Sequence, residues 1–234
     1  MKRALIVCAG EYSPIDLNLK FDHIYACDKG YLYAQEMGLE CDTIIGDFDS
    51  FRETSYKDSF PPISDEIPFD EDIIRTALDL SGRVRILSHK VAKDDTDTML
   101  AIKAALDDGA NEIYIICALG GRIDHTFANI QSLNYIASHN AIGHIYSKDE
   151  HLSILKGPFS ETIARKEGYS LSLYSISDIS KGLTIKGTLY EVDNIDLTNS
   201  FPLAYGNKIT ENKARISLSE GNLLIIESKI GGGN

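Results

Sequence analysis

Two aspartates one residue apart, Asp47 and Asp49, follow the apolar run "TIIG" at Thr43–Gly46. In extended chain such a pair points to one side, and the two carboxylates repel each other unless a cation lies between them. A solvated turn is the competing explanation, since glycine and aspartate are ordinary loop residues. Three further segments weigh against it. "HIYAC" runs into Asp28, Lys29 and Gly30, "VRILS" is followed by "HKVAKDDTD", and "EIYIICAL" leads to "GGRIDH". Independent turns have no reason to gather acids at the same end of each strand. Hard cations such as Mg2+ take carboxylate and phosphate oxygens, and they neutralise the charge that builds up in phosphoryl transfer. Thr96 suits the cap of a helix starting at Asp97, whose first N–H groups can face an anion. Gly120 and Gly121 allow close backbone approach, and Arg122 can hold phosphate through a forked pair of hydrogen bonds. His125 fits either a proton shuttle or a structural hydrogen bond.

The elements that must position these residues are legible in the hydrophobic pattern. Up to about Ser147 the chain alternates apolar strands with helical stretches, the pattern of a parallel sheet covered by helices. The strands are "ALIVCA", "HIYAC", "TIIG", "VRILS", "EIYIICAL" and "AIGHIYS". Helices are expected over about 31–37, over about 97–108 with Met99, Ile102 and Leu106 inward, and from about His125 with Ile130, Leu133 and Ile136 or Ala137 inward. After Lys148 the texture changes to short alternating stretches with turn residues between them, closing on a hairpin around "SEGN". The reading is an α/β domain over 1–147 with a mainly parallel sheet in three layers, an all-β sandwich over 148–230, and a disordered tail over 231–234. In an open parallel sheet, ligands bind outside the carboxyl ends of the strands, where all four acidic segments fall.

Composition narrows the partners. A formal net charge of -12 on 234 residues repels nucleic acid and anionic membrane. Cys8, Cys27, Cys41 and Cys117 lack CxxC spacing and sit among apolar or small neighbours, as buried free thiols of a reducing cytoplasm would. The basic start before "ALIVCA" is followed at once by Glu11, so a first buried strand fits better than a signal peptide, and no longer apolar segment spans a membrane. There is no GxxxxGK[ST], GxGxxG, GxSxG or HExxH.

"GDFDS", "KDDTD" and "GGRIDH", in this order and with "ACDKG" upstream, resemble the thiamine pyrophosphokinase family, which moves a diphosphoryl group from ATP to thiamine. The closing "TNSFPLAYGNKITENKARISLSEGNLLII" is similar to that family's final β segment. The resemblance implies an α/β N-terminal domain, a β-sandwich C-terminal domain, and a homodimer with active sites between subunits. It implies that Asp47, Asp49 and Asp97 hold Mg2+ and, through it, the ATP phosphates, supported by Asp28. Lys29, Gly30, Ser50, Lys93, Asp94, Thr96, Gly120 and Gly121 would complete the nucleotide site. Asp94, Asp97, Arg122, Asp124, Asn129, Tyr205, Gly206 and Asn207 would face thiamine, with Tyr205 or Phe201 stacking on a ring. Asp97 or Asp124 would take the hydroxyl proton, with Arg122 beside them. The family reads DGG where this chain has Asp28, Lys29 and Gly30, and Ser-Asn where it has Gly206 and Asn207. Two other classes share part of the pattern: a phosphatase of the haloacid-dehalogenase kind, with a DxD after an apolar strand, and a sensor that binds the same ligands without turnover. Ser50 and Phe51 replace the glycine and threonine customary in the first, and a pure binder has no need of so many mutually repelling carboxylates.

Overall fold

The computed structural model describes residues 1–46, 84–88 and 95–231. They divide into two compact units, Met1–Asn129 and Ile130–Asn234.

The first unit holds strands β1 (Arg3–Val7), β2 (His23–Cys27), β3 (Thr43–Gly46), β4 (Arg85–Ser88) and β5 (Glu112–Ile116). They pair in parallel in the order β5-β1-β2-β3-β4. Ile6, Tyr25, Ile44, Ile45, Ile113, Ile115 and Ile116 are fully buried, which explains why these strands read as unbroken apolar runs. Helices α1 (Gly30–Glu36) and α2 (Asp97–Asp107) pack on this sheet. In α2 the buried stripe is Ala101, Ile102 and Ala105, with Met99 and Leu106 half-buried at its margins. The two alanines let the helix approach the strands more closely than the larger expected pair. At the opposite end of the sheet from the acidic segments, Tyr25 donates to Asp108 at 2.6 Å and Arg85 pairs with the same carboxylate at 2.8 Å. These contacts pin β2 and β4 to the residue that ends α2.

Helix α3 (Ile123–Ser138) carries the chain out of the first unit, and its second half buries Leu133, Ile136 and Ala137 as expected. The second unit continues with β6 (Ile142–Tyr146), β7 (Glu150–Lys156), β8 (Phe159–Ala164), β9 (Tyr169–Ser175), β10 (Ile179–Lys186), β11 (Val192–Thr198), β12 (Ala204–Asn207), β13 (Lys213–Leu218) and β14 (Asn222–Lys229). They form two antiparallel layers, β12-β9-β14-β7-β6 and β11-β10-β13-β8. Strand β6 pairs antiparallel with β7, because a turn of three residues is too short for a parallel crossover. Leu171, Leu173, Leu183, Ile185, Leu197, Ile216, Leu218, Leu223 and Ile225 fill the space between the layers, as the alternating pattern requires. The α/β class with a C-terminal β-sandwich is thus the observed architecture, and the four cysteines are buried free thiols. Among the described residues, no helix is long and apolar enough to cross a membrane.

Ile216 has no exposed surface, so Ile216→Ala should cost about 2–5 kcal/mol in denaturant unfolding, with little change in slope. Glu227 gives a test by pH. Burial alone would raise its carboxyl, but His151 at 2.8 Å and Lys166 at 3.1 Å outweigh burial and hold it below its ordinary value. An acid depressed on folding stabilises above its unfolded pKa of about 4.3 and loses that contribution as pH falls through the lower folded value. Glu227→Gln should therefore narrow the gap in unfolding free energy between neutral and acidic solution. An identical pH dependence in parent and variant would refute the assignment.

Candidate active site

Cys27 and Ile45 are the last register pair between β2 and β3, so Asp28 emerges beside Gly46. Asp28 has φ 46, a left-handed conformation that aspartate tolerates better than most residues, and its N–H donates to the Ile45 carbonyl at 2.9 Å. The turn lays the Asp28 carboxylate directly on Gly46, where any Cβ would overlap Oδ1. Gly30 is constrained in the same way. It begins α1 against the carbonyls of Val7 and Cys8, and a Cβ there would lie 2.9 Å from the Cys8 oxygen. Lys29, between them, stays in helical conformation and holds its Nζ over the Tyr33 ring, 5.5 Å from the centroid. Tyr33 in turn donates to the Gly10 carbonyl at 3.1 Å and packs on Tyr12, with ring centroids 4.9 Å apart. The cation is thus carried on an aromatic patch.

The next carboxylate comes from α2. Thr96 is the cap, its Oγ1 accepting from Met99 N at 3.2 Å, and Asp97 lies in the first turn, where the exposed N–H groups favour negative charge. Thr98 Oγ1 contacts Cys8 Sγ at 3.4 Å and ties this turn to the end of β1. The Cys27 thiol is held well above its ordinary pKa, first by its hydrogen bond with Cys8, then by burial and by the charges of Asp97 and Asp28.

Gly120 and Gly121 both adopt positive φ, 84° and 66°, and the Glu11 side chain lies against Gly120. Arg122 and Asp124 face each other across two hydrogen bonds of 2.5 and 3.1 Å, with side chains 72% and 60% exposed. That pairing, helped by the His125 N–H at 3.0 Å, holds the Asp124 carboxyl below the ordinary range. Asn129 donates to the Ala118 carbonyl at 2.8 Å, bracing the glycine loop against α3. Asp47, Asp49, Ser50, Lys93 and Asp94 lie outside the described residues. Among the described residues, no three histidine, cysteine, aspartate or glutamate side chains converge in a way that would hold a metal ion. The donors the edge does present, Asp28 and Asp97, are hard carboxylate oxygens, the ligand type Mg2+ prefers.

In the second unit, Tyr205 is 63% exposed on β12, and Gly206 has φ 67 with its N–H donating to Ser172 Oγ at 3.0 Å. Asn207 is buried. Its Oδ1 accepts from the N–H groups of Tyr190 and Lys208, and its Nδ2 donates to the Tyr190 carbonyl and to Thr188 Oγ1. Its amide is fully committed to this turn. Glu11, Tyr12 and Tyr33 are the residues at the sheet edge that sequence reasoning passed over. Their signal was position alone, since "AGEYS" follows the first strand at the end where the other loops carry their acids.

The first unit is thus an open parallel α/β fold with carboxylates and a glycine loop at its strand ends, and the second is an antiparallel sandwich. The family model for thiamin pyrophosphokinase, catalytic domain, matches residues 16–143, more than half of the sequence. The chain belongs to the thiamine pyrophosphokinase family. It is 28% identical over 141 residues to thiamine pyrophosphokinase of Bacillus subtilis (strain 168), a match covering 60% of this chain and 65% of that relative's length. The crystal structure of the Bacillus subtilis thiamine pyrophosphokinase superposes with a TM-score of 0.79 at 25% identity, covering 97% of this chain and 99% of that one. Those from Geobacillus thermodenitrificans and Candida albicans share the fold, with TM-scores of 0.76 and 0.72 at 24% and 17% identity, covering 98% and 97% of this chain and 99% and 89% of theirs.

Gly46→Ala should displace the Asp28 carboxylate while leaving the sheet intact. The expected result is a loss of Mg2+-dependent nucleotide binding of tenfold or more, on the order of one lost ligand-supporting carboxylate, measured by calorimetry. Unaltered binding would mean that the Asp28 position is immaterial.

Proposed function

We propose that this chain catalyses transfer of the diphosphoryl group of ATP to the hydroxyl of thiamine, giving AMP and thiamine diphosphate. The observation that carries the reading is the match of residues 16–143 to the catalytic-domain family model, in a chain whose Asp28 lies on Gly46 at a strand end and whose Asp97 opens α2. Asp47, Asp49 and Asp97 would hold Mg2+, with Asp28 supporting them through its seat on Gly46. When bound, the ion supplies charge neutralisation at the phosphate oxygens.

The chain's own residues divide the remaining work. Gly120 and Gly121 present backbone to the phosphates, Thr96 shapes the helix start that faces them, and Lys29, Gly30, Ser50, Lys93 and Asp94 complete the nucleotide site. Arg122 orients the anion through its forked donors once it exchanges Asp124 for phosphate. Thiamine's primary hydroxyl attacks the β-phosphorus in line, with AMP leaving, and positioning supplies much of the rate enhancement. Asp97 or Asp124 accepts the hydroxyl proton, Asp124 being released for this when Arg122 turns to the phosphate. Asn129 braces the glycine loop near the thiazolium, and the acidic surroundings suit that cation. The exposed Tyr205 ring, beside Gly206 and the turn built by Asn207, offers a stacking face.

The same reading includes a homodimer in the cytoplasm with shared active sites. The exposed apolar residues around β12, namely Leu189, Tyr190, Phe201, Leu203 and Tyr205, support self-association, and the four buried free thiols suit a reducing compartment.

Incubation with ATP, Mg2+ and thiamine should give AMP and thiamine diphosphate in equal, thiamine-dependent yields by chromatography. Phosphate release without thiamine, or binding without AMP, would refute the transfer. Asp97→Asn should keep the fold and lower turnover by a factor on the order of a hundred or more, as loss of a metal ligand does. A circular dichroism melt separates loss of chemistry from loss of structure.

A further inference from the structure

In the second unit, the hairpin β6–β7 brings two histidines together across the turn at 147–149. His144 Nδ1 and His151 Nε2 lie 3.1 Å apart. Their strands pair with His144 opposite Ser153 and Tyr146 opposite His151, so the two imidazoles are diagonal neighbours on one face. His151 is fixed on both remaining sides. Its Nδ1 lies 2.8 Å from Glu227 Oε2, and the Tyr146 ring stacks on it at 4.1 Å with planes only 7° apart. Glu227 is almost wholly buried, and its other oxygen is held by Lys166 at 3.1 Å.

The tautomer follows from the donors available. An ionised carboxylate only accepts, so His151 Nδ1 carries the hydrogen, and in the neutral ring its Nε2 lone pair faces His144. A histidine that donates one ring N–H to a carboxylate and turns its other nitrogen toward a second imidazole has the arrangement of a metal ligand and its supporting carboxylate. The separation is also right. Two nitrogens, each about 2.0–2.1 Å from one ion, stand roughly 2.9 Å apart at a right angle and roughly 3.4 Å apart at the tetrahedral angle, which brackets the observed spacing.

We propose that His144 and His151 bind a divalent transition-metal ion of the imidazole-preferring class, Zn2+, Cu2+ or Ni2+, with Glu227 as the positioning residue for His151 and water completing the coordination. In the free protein His144 donates its Nδ1–H to His151. On binding, that hydrogen moves to His144 Nε2, both rings stay neutral, and both facing lone pairs go to the ion. Nitrogen donors separate this site from the carboxylates that suit Mg2+. The ion would clamp β6 to β7, and the site stands whether or not the proposed transfer reaction does.

The test uses the full chain without an affinity tag and in Mg2+-free buffer, with one equivalent of CuCl2 as probe. The electron paramagnetic resonance spectrum should show splitting from two nitrogens in the parent. His144→Ala and His151→Ala should each abolish the two-nitrogen pattern, while His125→Ala retains it. Glu227→Gln should keep both nitrogens but weaken affinity by about 10–100-fold, the usual effect of losing a supporting carboxylate. An all-oxygen spectrum, or two nitrogens persisting in both histidine variants, overturns the proposal. A second measurement needs no variant: on adding ZnCl2 to the parent, long-range 1H–15N spectra should shift His144 Nδ1 and His151 Nε2 together. Unshifted resonances for these two nitrogens would contradict it as firmly.

Discussion

The candidate site depends first on the left-handed turn at Asp28. Its N–H closes on Ile45, and its carboxylate can lie on the end of β3 only because residue 46 has no Cβ. This one contact converts strand register into site geometry. The parallel pairing of β1, β2 and β3 sets which residues emerge side by side, and the turn brings a carboxylate from one strand end to the next. A positive φ at a non-glycine residue costs on the order of 1 kcal/mol, so the sheet must hold it in place. The buried isoleucines beneath it supply that rigidity.

Charge is the second constraint. The edge gathers acids, and among the described residues three cations near them are already engaged. Arg122 is committed to Asp124, Lys103 to Asp95, and Lys29 rests on Tyr33. An edge built in this way attracts a cation, whether a hard metal ion or an organic one, and it releases Arg122 to an incoming anion only by exchange. The Cys27 thiol responds to the same field. Its hydrogen bond with Cys8 and its burial push it up first, the charges of Asp97 and Asp28 add to them, and it stays protonated, an inert packing group.

Most of the fold was legible because its signals are local. Buried parallel strands are continuous apolar runs, the sandwich strands alternate, and Thr96 and Gly109 delimit α2. The features that escaped depend on neighbours distant in sequence. Nothing in "ACDKG" reveals that Asp28 turns back on Gly46. Asn207 reads as a ligand contact by resemblance, yet four hydrogen bonds engage its amide within the protein. His144 and His151 are seven residues apart across a turn, and only the hairpin register shows that they meet.

If strand register, acting through the turn at Asp28, assembles a carboxylate site for metal-bound phosphate, the Mg2+ concentration dependence of thiamine-dependent AMP formation must differ between the parent and Asp28→Asn. The variant should need several-fold more Mg2+ for half-maximal rate, roughly the effect of removing a supporting carboxylate, while its melting temperature stays close to the parent's. Superimposable Mg2+ curves would contradict it.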